Sequence, residues 1–194
     1  EVSTTRRDPQ LRSLLEDALG AAMERGDVLE ATFAESIAQR AALWRLRESV
    51  PEAQRHEGAS IKHDVSVPVA ALPAFLSQAA AAVARVAPTA RLVAYGHAGD
   101  GNLHFNLSAP AGAGDDGSFL ALKDAVGEAV HACVHEFRGS ISAEHGIGQL
   151  KRDLLARYKD PVALAAMRAI KQALDPKGIL NPGKVLPDTR PPRP

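Results

Sequence analysis

The sequence predicts an α+β fold in which an antiparallel sheet is covered by helices. Three observations predict this class. Three or four short segments are β-branched or alternate apolar with polar residues. Five or six segments repeat apolar residues at helical spacing. Most of these helical segments follow a strand, and no internal repeat interrupts the order. A chain of 194 residues has the size of one compact domain.

Each predicted helix shows apolar residues three or four positions apart along its length. An Asp-Pro pair at Asp8 and another at Asp160 provide an N-cap followed by proline at the first helical position. Gly26 and Gly58 end the first two helices. The predicted helices cover residues 9–25, 29–53, 70–86, 119–137, 150–158 and 161–174.

The predicted strands are short. Residues 61–67 alternate apolar with polar side chains until Pro68 ends the strand. Two further strands, 91–95 and 103–107, flank a glycine-rich turn, and 140–143 forms a short fourth strand. The tail from Asp175 onward is rich in proline and glycine, and we expect residues 187–194 to be disordered.

Composition excludes several classes of protein. The chain has 23 Lys+Arg and 23 Asp+Glu, so its net charge is zero, which argues against a nucleic-acid binder with a dense basic face. We identify no apolar run near the ~20 residues that a membrane span needs. The single cysteine, Cys133, cannot form an internal disulfide and fits a reducing compartment, so we expect a cytoplasmic protein. The chain begins with Glu1 and shows no signal peptide, which indicates processing or an excised piece.

The glycine-rich turn carries the strongest chemical signal. Residues 95–107 read Tyr-Gly-His-Ala-Gly-Asp-Gly-Asn-Leu-His-Phe-Asn-Leu. Asp100-Gly101 is a preferred pair for a two-residue type I′ hairpin turn, which would set His97 directly opposite His104. Opposed side chains lie about 5 Å apart at Cβ, so two imidazoles could share one metal ion. Tyr95 and Asn106 would lie on the same face, and the other face would be apolar.

Other interpretations of the turn stay open. Two histidines in a hairpin are often half-buried polar residues without a ligand. A glycine-rich turn also suggests phosphate binding, but the residues do not match the P-loop pattern.

A second polar pair follows in the segment Ser142-Ala-Glu-His-Gly-Ile-Gly. Adjacent residues on an extended segment point in opposite directions, so Glu144 and His145 are expected to have different roles. Glu144 would be a carboxylate ligand and His145 a proton acceptor. Two histidines and a carboxylate would suit Zn²⁺, Mn²⁺ or Fe²⁺. The alternative is a surface glutamate beside a histidine that caps the next helix.

Several basic residues and histidines have weaker signals. Arg45 and Arg47, near a helix end, and Lys62, in a strand, are of the type that binds carboxylates, although charges at such places are usually solvated. The remaining members of this group are interpreted as ordinary surface or core residues: His56, His63, His131, His135, Lys151 and Arg152.

Five motifs in a fixed order resemble one known family. They are Trp44-Arg-Leu-Arg-Glu, Lys62-His-Asp-Val-Ser-Val-Pro, Gly96-His-Ala-Gly-Asp-Gly-Asn-Leu-His, Ser142-Ala-Glu-His-Gly-Ile-Gly and Leu174-Asp-Pro-Lys-Gly-Ile-Leu-Asn-Pro-Gly-Lys-Val-Leu. Together they resemble the C-terminal domain of FAD-linked oxidases, the group of D-lactate dehydrogenase, D-2-hydroxyglutarate dehydrogenase and the flavin subunit of glycolate oxidase, within the vanillyl-alcohol oxidase superfamily.

The resemblance implies that residues 1–186 form the substrate-side domain of an FAD-dependent enzyme. In such enzymes an N-terminal domain, which has no counterpart in this chain, binds most of the FAD. The implied reaction oxidises a D-2-hydroxy acid to the 2-oxo acid by hydride transfer to the flavin. The implied partners are a small 2-hydroxy acid and the missing FAD-binding domain, with no nucleic acid, no membrane span and a possible homodimer.

The resemblance also implies roles for individual residues. His97, His104 and Glu144 would bind a divalent metal, Zn, Mn or Fe, and His145 would take the proton of the substrate hydroxyl. Arg47, Lys62 and Asn106 would bind the substrate, and Asn181 would belong to a tail that returns toward the flavin.

One departure from the family concerns the substrate. In members that oxidise 2-hydroxyglutarate, a hydroxyl after the Trp-x-x-Arg-Glu motif lies near the distal carboxylate, whereas this chain has Pro51 there. The missing donor argues against a dicarboxylate substrate, although Ser49 could partly compensate.

Two alternative functions are a non-catalytic binding or dimerisation module without flavin, and an independent metal hydrolase.

Overall fold

The structure is a computed structural model that describes residues 2–5, 10–113 and 117–187. The predicted N-cap at Asp8 and all but the first residue of the predicted disordered tail 187–194 lie outside these residues. The chain divides into two compact units, Glu1–Pro51 and Glu52–Pro194, which we describe separately.

The first unit is helical. Helix α1 spans Leu11–Glu24 and helix α2 spans Ile37–Glu48. Between them, Arg12 of α1 forms a two-bonded ion pair with Glu35, at 2.5 and 3.1 Å. This pair is exposed to solvent, so it contributes little to stability.

The predicted helix 29–53 is wrong at its start and in its continuity. Helix α2 begins only at Ile37 because Ser36 is its N-cap, with the Ser36 hydroxyl accepting a bond from the Gln39 N–H at 3.2 Å. It ends at Glu48, and a separate helix α3 spans Val50–His56. Pro51 has no N–H to continue the bonding of α2 but is tolerated in the first turn of a new helix.

A four-stranded antiparallel sheet lies in the second unit. Its strands are β1 (Ser60–Ile61), β2 (Asp64–Ser66), β3 (Arg91–His97) and β4 (Asn102–Ser108). Strand β4 is central: β3 pairs along one side, and β1 and β2 pair in succession along the other. The predicted single strand 61–67 is therefore two short strands, and the predicted α+β class is confirmed.

Helices follow β2 and β4 in the chain. They are α4 (Leu72–Val86), α5 (Ser118–Ala121), α6 (Lys123–Glu136), α7 (Arg152–Tyr158) and α8 (Pro161–Leu174). The predicted helix 119–137 is interrupted at Leu122, which separates α5 from α6. The predicted N-cap of α8 is confirmed, because the Asp160 carboxylate accepts bonds from the N–H groups of Val162 and Ala163.

The core lies on one face of the sheet. Strand β4 contributes alternate residues to it, with Phe105 fully buried against Phe75 of α4 at a ring distance of 5.9 Å. Three valines of α6 close this core and are also fully buried: Val126, Val130 and Val134. Burying a side chain of this size stabilises the fold by about 1.5–3 kcal/mol. The opposite face of β4 remains available for polar residues.

The segment Val69–Val86 is long and apolar enough to cross a membrane by length and composition, although the sequence patterns had indicated no such run. This is weak support for a span, because core helices of globular domains meet the same criterion. Phe75, Ala79, Ala82 and Val83 of this segment are buried in the core described above.

The hairpin between β3 and β4 is wider than predicted. Its loop is 98–101, so Tyr95 lies opposite His104 and His97 lies opposite Asn102. The predicted direct opposition of His97 and His104 is wrong. The reason is that Asp100 bonds the Asn102 N–H through its side chain at 2.9 Å, while the carbonyl of Gly101 accepts the N–H of Val67 at 3.1 Å.

Gly101 is held against a neighbouring strand end. It has φ +74°, and a Cβ atom on it would lie 2.0 Å from the carbonyl oxygen of Val67. Both the left-handed conformation and the close approach require glycine. The predicted short strand 140–143 is present only as an isolated bridge between Ser140 and Ser66.

Replacing Gly101 by alanine should destabilise the chain by about 2 kcal/mol or more, because the Cβ atom is strained by φ and clashes with the Val67 carbonyl. Urea unfolding followed by circular dichroism measures this change. Gly99→Ala is the matched control, because a Cβ atom there meets nothing within 4 Å. Equal stability of the two variants would contradict the close contact of Gly101 with the Val67 carbonyl.

Candidate functional site

Three polar side chains form one row across the sheet, on the face opposite the core. Strand pairing aligns Asp64 of β2, His104 of β4 and Tyr95 of β3. Paired residues of antiparallel strands share a face. The rings of Tyr95 and His104 lie 4.9 Å apart. The sheet therefore presents an imidazole between a carboxylate and a phenol.

The loop 140–147 brings a second pair of functional residues to this row. The Asp64 Oδ2 atom accepts hydrogen bonds from the backbone N–H groups of Glu144, at 2.8 Å, and His145, at 2.9 Å. The Lys151 ammonium, interpreted from the sequence as a surface group, donates to the Ile141 carbonyl at 2.7 Å and holds the start of the same loop. These bonds place Glu144 and His145 beside His104.

Asp64, His104 and Glu144 form a compact set of possible ligands. One donor atom from each lies within 4.8 Å of the other two. The His104 Nε2 atom is 3.9 Å from Glu144 Oε2, and its Nδ1 atom is 3.9 Å from Asp64 Oδ1. Imidazole and carboxylate are the ligands of zinc, manganese and non-haem iron sites. The structure thus brings together two of the three predicted metal ligands and places the Asp64 carboxylate beside them.

His97 lies outside this cluster. Since it pairs with Asn102 and shares the face of Tyr95, it is a diagonal neighbour of His104. Asn102 is 5% exposed and donates a hydrogen bond from its amide to Glu144 Oε1. The position opposite His97 therefore orients the carboxylate of Glu144.

His145 is accessible beside the cluster. Its side chain is 68% exposed, and its ring centre is 6.0 Å from that of His104. Its Nδ1 atom lies 3.5 Å from Asp64 Oδ2, so the opposite nitrogen, Nε2, is directed away from Asp64. This placement leaves one ring nitrogen for proton exchange with a molecule bound at the cluster.

The predicted substrate-binding residues occupy different environments. Lys62 is exposed between β1 and β2. Asn106 lies on the same strand face as His104 but is buried, with its Oδ1 accepting the His63 N–H at 3.1 Å and its Nδ2 donating to Gln54 at 3.0 Å. Arg47 lies half-buried in the last turn of α2, in the first unit.

Asn181, the predicted cofactor-binding residue, lies apart from the cluster. It is exposed, has φ +48° and forms part of the wall of a cavity of about 870 Å³ between the end of α8 and the C-terminal segment. None of the residues of the cluster lines this cavity. The cavity is therefore separate from the cluster around His104.

Two residues of the site were missed by the sequence patterns. Asp64 was visible as an acidic residue within a β-branched strand, and such a residue needs partners if it is buried. Asn102 was visible within the glycine-rich turn, but the predicted two-residue turn gave it no partner in Glu144. Both became recognisable only with the correct strand register.

Burial shapes the electrostatics below the site. Burial alone would raise the pKa of Asp64, but the N–H donations from His145 and Glu144 and the two nearby imidazoles outweigh it and lower this pKa. Burial lowers the pKa of His63 to about 4, although its bond to the Phe105 carbonyl opposes the shift. The ring of His131 packs edge-on to His63, and burial lowers its pKa too.

Comparison with known proteins identifies the family of the chain. The family model for FAD linked oxidases, C-terminal domain, matches residues 2–185. The chain belongs to this family.

Three curated relatives of this FAD linked oxidase domain are named D-2-hydroxyglutarate dehydrogenases. A D-2-hydroxyglutarate dehydrogenase of Stutzerimonas stutzeri is 39% identical over 185 residues, which are 95% of this chain and 39% of the relative. One from Xanthomonas citri pv. viticola is 42% identical over 168 residues, 87% of this chain and 35% of the relative. A mitochondrial one from Danio rerio is 39% identical over 186 residues, 96% of this chain and 33% of the relative.

The domain thus spans only 33–39% of the length of these relatives. The relatives include bacterial proteins and proteins named as mitochondrial. The possible homodimer and the cytoplasmic location stay predictions.

Acidification should destabilise this domain between about pH 6.5 and pH 4. His63 has a lower pKa in the folded chain than the ordinary value near 6.5, so the unfolded chain binds the proton first and stability falls as the pH falls. The full contribution is on the order of 3 kcal/mol. Urea unfolding at several pH values measures the slope.

The variant His63→Asn should flatten this slope, because the amide keeps a donor for the Phe105 carbonyl but does not titrate. His135→Asn, at an exposed position of the same helix as His131, is the control and should retain the slope. A slope unchanged in His63→Asn would show that other groups govern the acid response.

Proposed function

We propose that this chain is the substrate-side domain of an FAD-dependent enzyme that oxidises a D-2-hydroxy acid to the corresponding 2-oxo acid. The observation that carries the proposal is the cluster of His104, Glu144 and Asp64 with the exposed His145 beside it. Membership of a family of FAD linked oxidases supports the reaction class. The names of the relatives support a 2-hydroxy acid as the substrate class.

The reaction removes a proton from the substrate hydroxyl and a hydride from its α-carbon. FAD, held mainly by a separate FAD-binding domain, supplies the acceptor for the hydride when it is bound. His145 takes the hydroxyl proton, since it is the accessible imidazole next to the cluster and its Nδ1 is oriented by Asp64. Its side-chain exposure allows the proton to pass on to solvent.

The ligand cluster fits a divalent metal ion. The 3.9 Å between His104 Nε2 and Glu144 Oε2 is shorter than twice the usual ligand distance of about 2.1 Å, so one ion can bind both atoms. We assign His104 and Glu144 as ligands, with His97 joining from its diagonal position on the same face. Zn²⁺, Mn²⁺ or Fe²⁺ bound there would polarise the substrate hydroxyl and carboxylate.

Basic and amide residues are further candidates for substrate binding. Lys62 is an exposed cation at the end of β1 and suits the substrate carboxylate. Arg47, in the first unit, is proposed from the family resemblance alone as a bidentate partner for a carboxylate. Asn106 lies two residues from His104 on the same strand face, and its buried amide would have to exchange its bonds to His63 or Gln54 to contact the substrate. Asn181, with its exposed side chain, is assigned to the flavin side.

Two observations differ on whether the hydroxy acid carries one carboxylate or two. The names of the relatives refer to 2-hydroxyglutarate, a dicarboxylate. Pro51, however, has no hydroxyl for a distal carboxylate. We therefore propose the class of D-2-hydroxy acids. The rates of flavin reduction by D-2-hydroxyglutarate and by D-lactate distinguish a dicarboxylate from a monocarboxylate substrate.

The chain should bind Zn²⁺, and both His104→Ala and Glu144→Gln should weaken this binding at least tenfold, because each removes a ligand. Isothermal titration calorimetry measures the dissociation constants. His97→Ala should also weaken binding, because His97 is proposed to join the site from its diagonal position. His135→Ala, an exposed histidine on α6, is the control. Binding unaffected by loss of His104 would contradict the metal assignment.

In the holoenzyme, His145→Ala should slow flavin reduction by a D-2-hydroxy acid 10²- to 10⁴-fold, the usual effect of losing a general base. Stopped-flow absorbance of the flavin measures the rate with D-2-hydroxyglutarate and with D-lactate as separate substrates. The FAD content should equal that of the wild type, since His145 is proposed to act on the substrate. Reduction at the wild-type rate would exclude His145 as the base.

A further inference from the structure

Asp64 is the most deeply buried acidic group of the site. It is 3% exposed and lies in β2, paired with His104 of β4. A buried carboxylate is costly unless its oxygens accept hydrogen bonds. The hydrogen bonds and contacts of each Asp64 oxygen therefore indicate why an acid lies at this position.

The Oδ2 atom of Asp64 organises the loop above the sheet. It accepts the backbone N–H groups of two successive residues, Glu144 at 2.8 Å and His145 at 2.9 Å. The carbonyl of Asp64 also accepts the N–H of Ala143 at 3.3 Å. The Oδ2 atom thus holds Glu144, the proposed ligand, and His145, the proposed base.

The Oδ1 atom of Asp64 has a different environment. It is buried and has no hydrogen-bond partner among the described residues. The nearest imidazole nitrogen with which it forms a charged pair is His104 Nδ1, at 3.9 Å. An approach of about 1 Å would make this contact a normal hydrogen bond.

The ring of His104 lies between two carboxylates. Nδ1 faces Asp64 and Nε2 faces Glu144, both at 3.9 Å. Glu144 has its other oxygen bonded by the Asn102 amide, so its Oε2 is the atom left for a ligand role. If Asp64 accepts the proton on Nδ1, the lone pair of Nε2 points toward Glu144, where a metal would be shared.

We propose that Asp64 is the positioning residue of this site: its Oδ1 accepts the N–H of His104 Nδ1 and so fixes the tautomer that presents Nε2 to the metal. This role concerns the orientation of a ligand, and Asp64 itself is not a ligand. The part that concerns metal affinity rests on the proposed function, whereas the tautomer of His104 is a property of the chain alone.

The variant Asp64→Asn separates the two roles of the side chain. Its carbonyl oxygen can still accept the N–H groups of Glu144 and His145, so the loop keeps its attachment. Its NH₂ group replaces the acceptor that faces His104 Nδ1 with a donor. The substitution therefore reverses the polarity of one contact at nearly constant shape.

Asp160→Asn is the matched control. The Asp160 carboxylate also accepts two successive backbone N–H groups, those of Val162 and Ala163, through one oxygen. It does so at the N-terminus of α8. Any general effect of changing such a carboxylate to an amide appears in both variants.

The first measurement is the tautomer of His104 by ¹⁵N–¹H correlation spectroscopy of the metal-free 194-residue chain near pH 8.5, where an ordinary imidazole is neutral. The wild type and Asp160→Asn should show the proton on Nδ1, and Asp64→Asn should shift it to Nε2. A wild-type ring with its proton on Nε2, or a tautomer that Asp64→Asn does not change, would overturn the proposal.

The second measurement is Zn²⁺ affinity by calorimetry, with thermal unfolding in chelator as a check of the fold. Asp64→Asn should lose 10- to 100-fold in affinity, the usual effect of removing a partner of a metal-bound histidine. Asp160→Asn should bind like the wild type. Wild-type affinity in Asp64→Asn would overturn the role in metal binding.

The two proposals fail in different ways. A wild-type chain that binds no Zn²⁺ contradicts the metal site of the proposed function, yet the tautomer of His104 still tests Asp64. If Asp64→Asn unfolds, the wild-type tautomer alone decides, because a proton on Nε2 excludes the proposed hydrogen bond.

Discussion

The hydrogen bonds from Glu144 and His145 to the buried carboxylate of Asp64 join the sheet to the loop that carries the chemistry. Without them the loop 140–147 would be tied to β2 by the bridge between Ser66 and Ser140 and by the bond from the Ala143 N–H to the Asp64 carbonyl. Two charge-assisted bonds to one oxygen offset the cost of burying the charge. They also bring Glu144, which is 80 positions from Asp64 in sequence, beside His104.

Strand β4 makes this arrangement possible because one of its faces packs in the core and the other carries polar residues. Leu103, Phe105 and Leu107 enter the core, while His104 and Asn106 lie on the opposite face. The central position of β4 pairs it with three strands, so its side chains are held firmly. A rigid element under the site keeps the distances between His104 and its carboxylate neighbours defined.

The sequence predicts most of the helices, the alternation of β4 and its polar face, since periodicity and capping residues such as Asp160 are local signals. The predicted start of the second helix is wrong because the local cap at Ser36, and not the apolar pattern, sets where α2 begins. The other failure concerns a position that depends on a distant partner. The hairpin turn followed the contact of Gly101 with Val67, which shifted the register and moved His97 away from a position opposite His104.

The sequence by itself determined the α+β class, the family to which the motifs belong and the identity of His104, Glu144 and His145 as candidates. These features are written in local patterns and in the order of motifs. Only the tertiary structure decided that Asp64 and Asn102 support them, because the side chains of both residues bond to groups that are distant in sequence. Burial creates the need for hydrogen bonds, and only the strand register and the path of the loop determine which groups meet it.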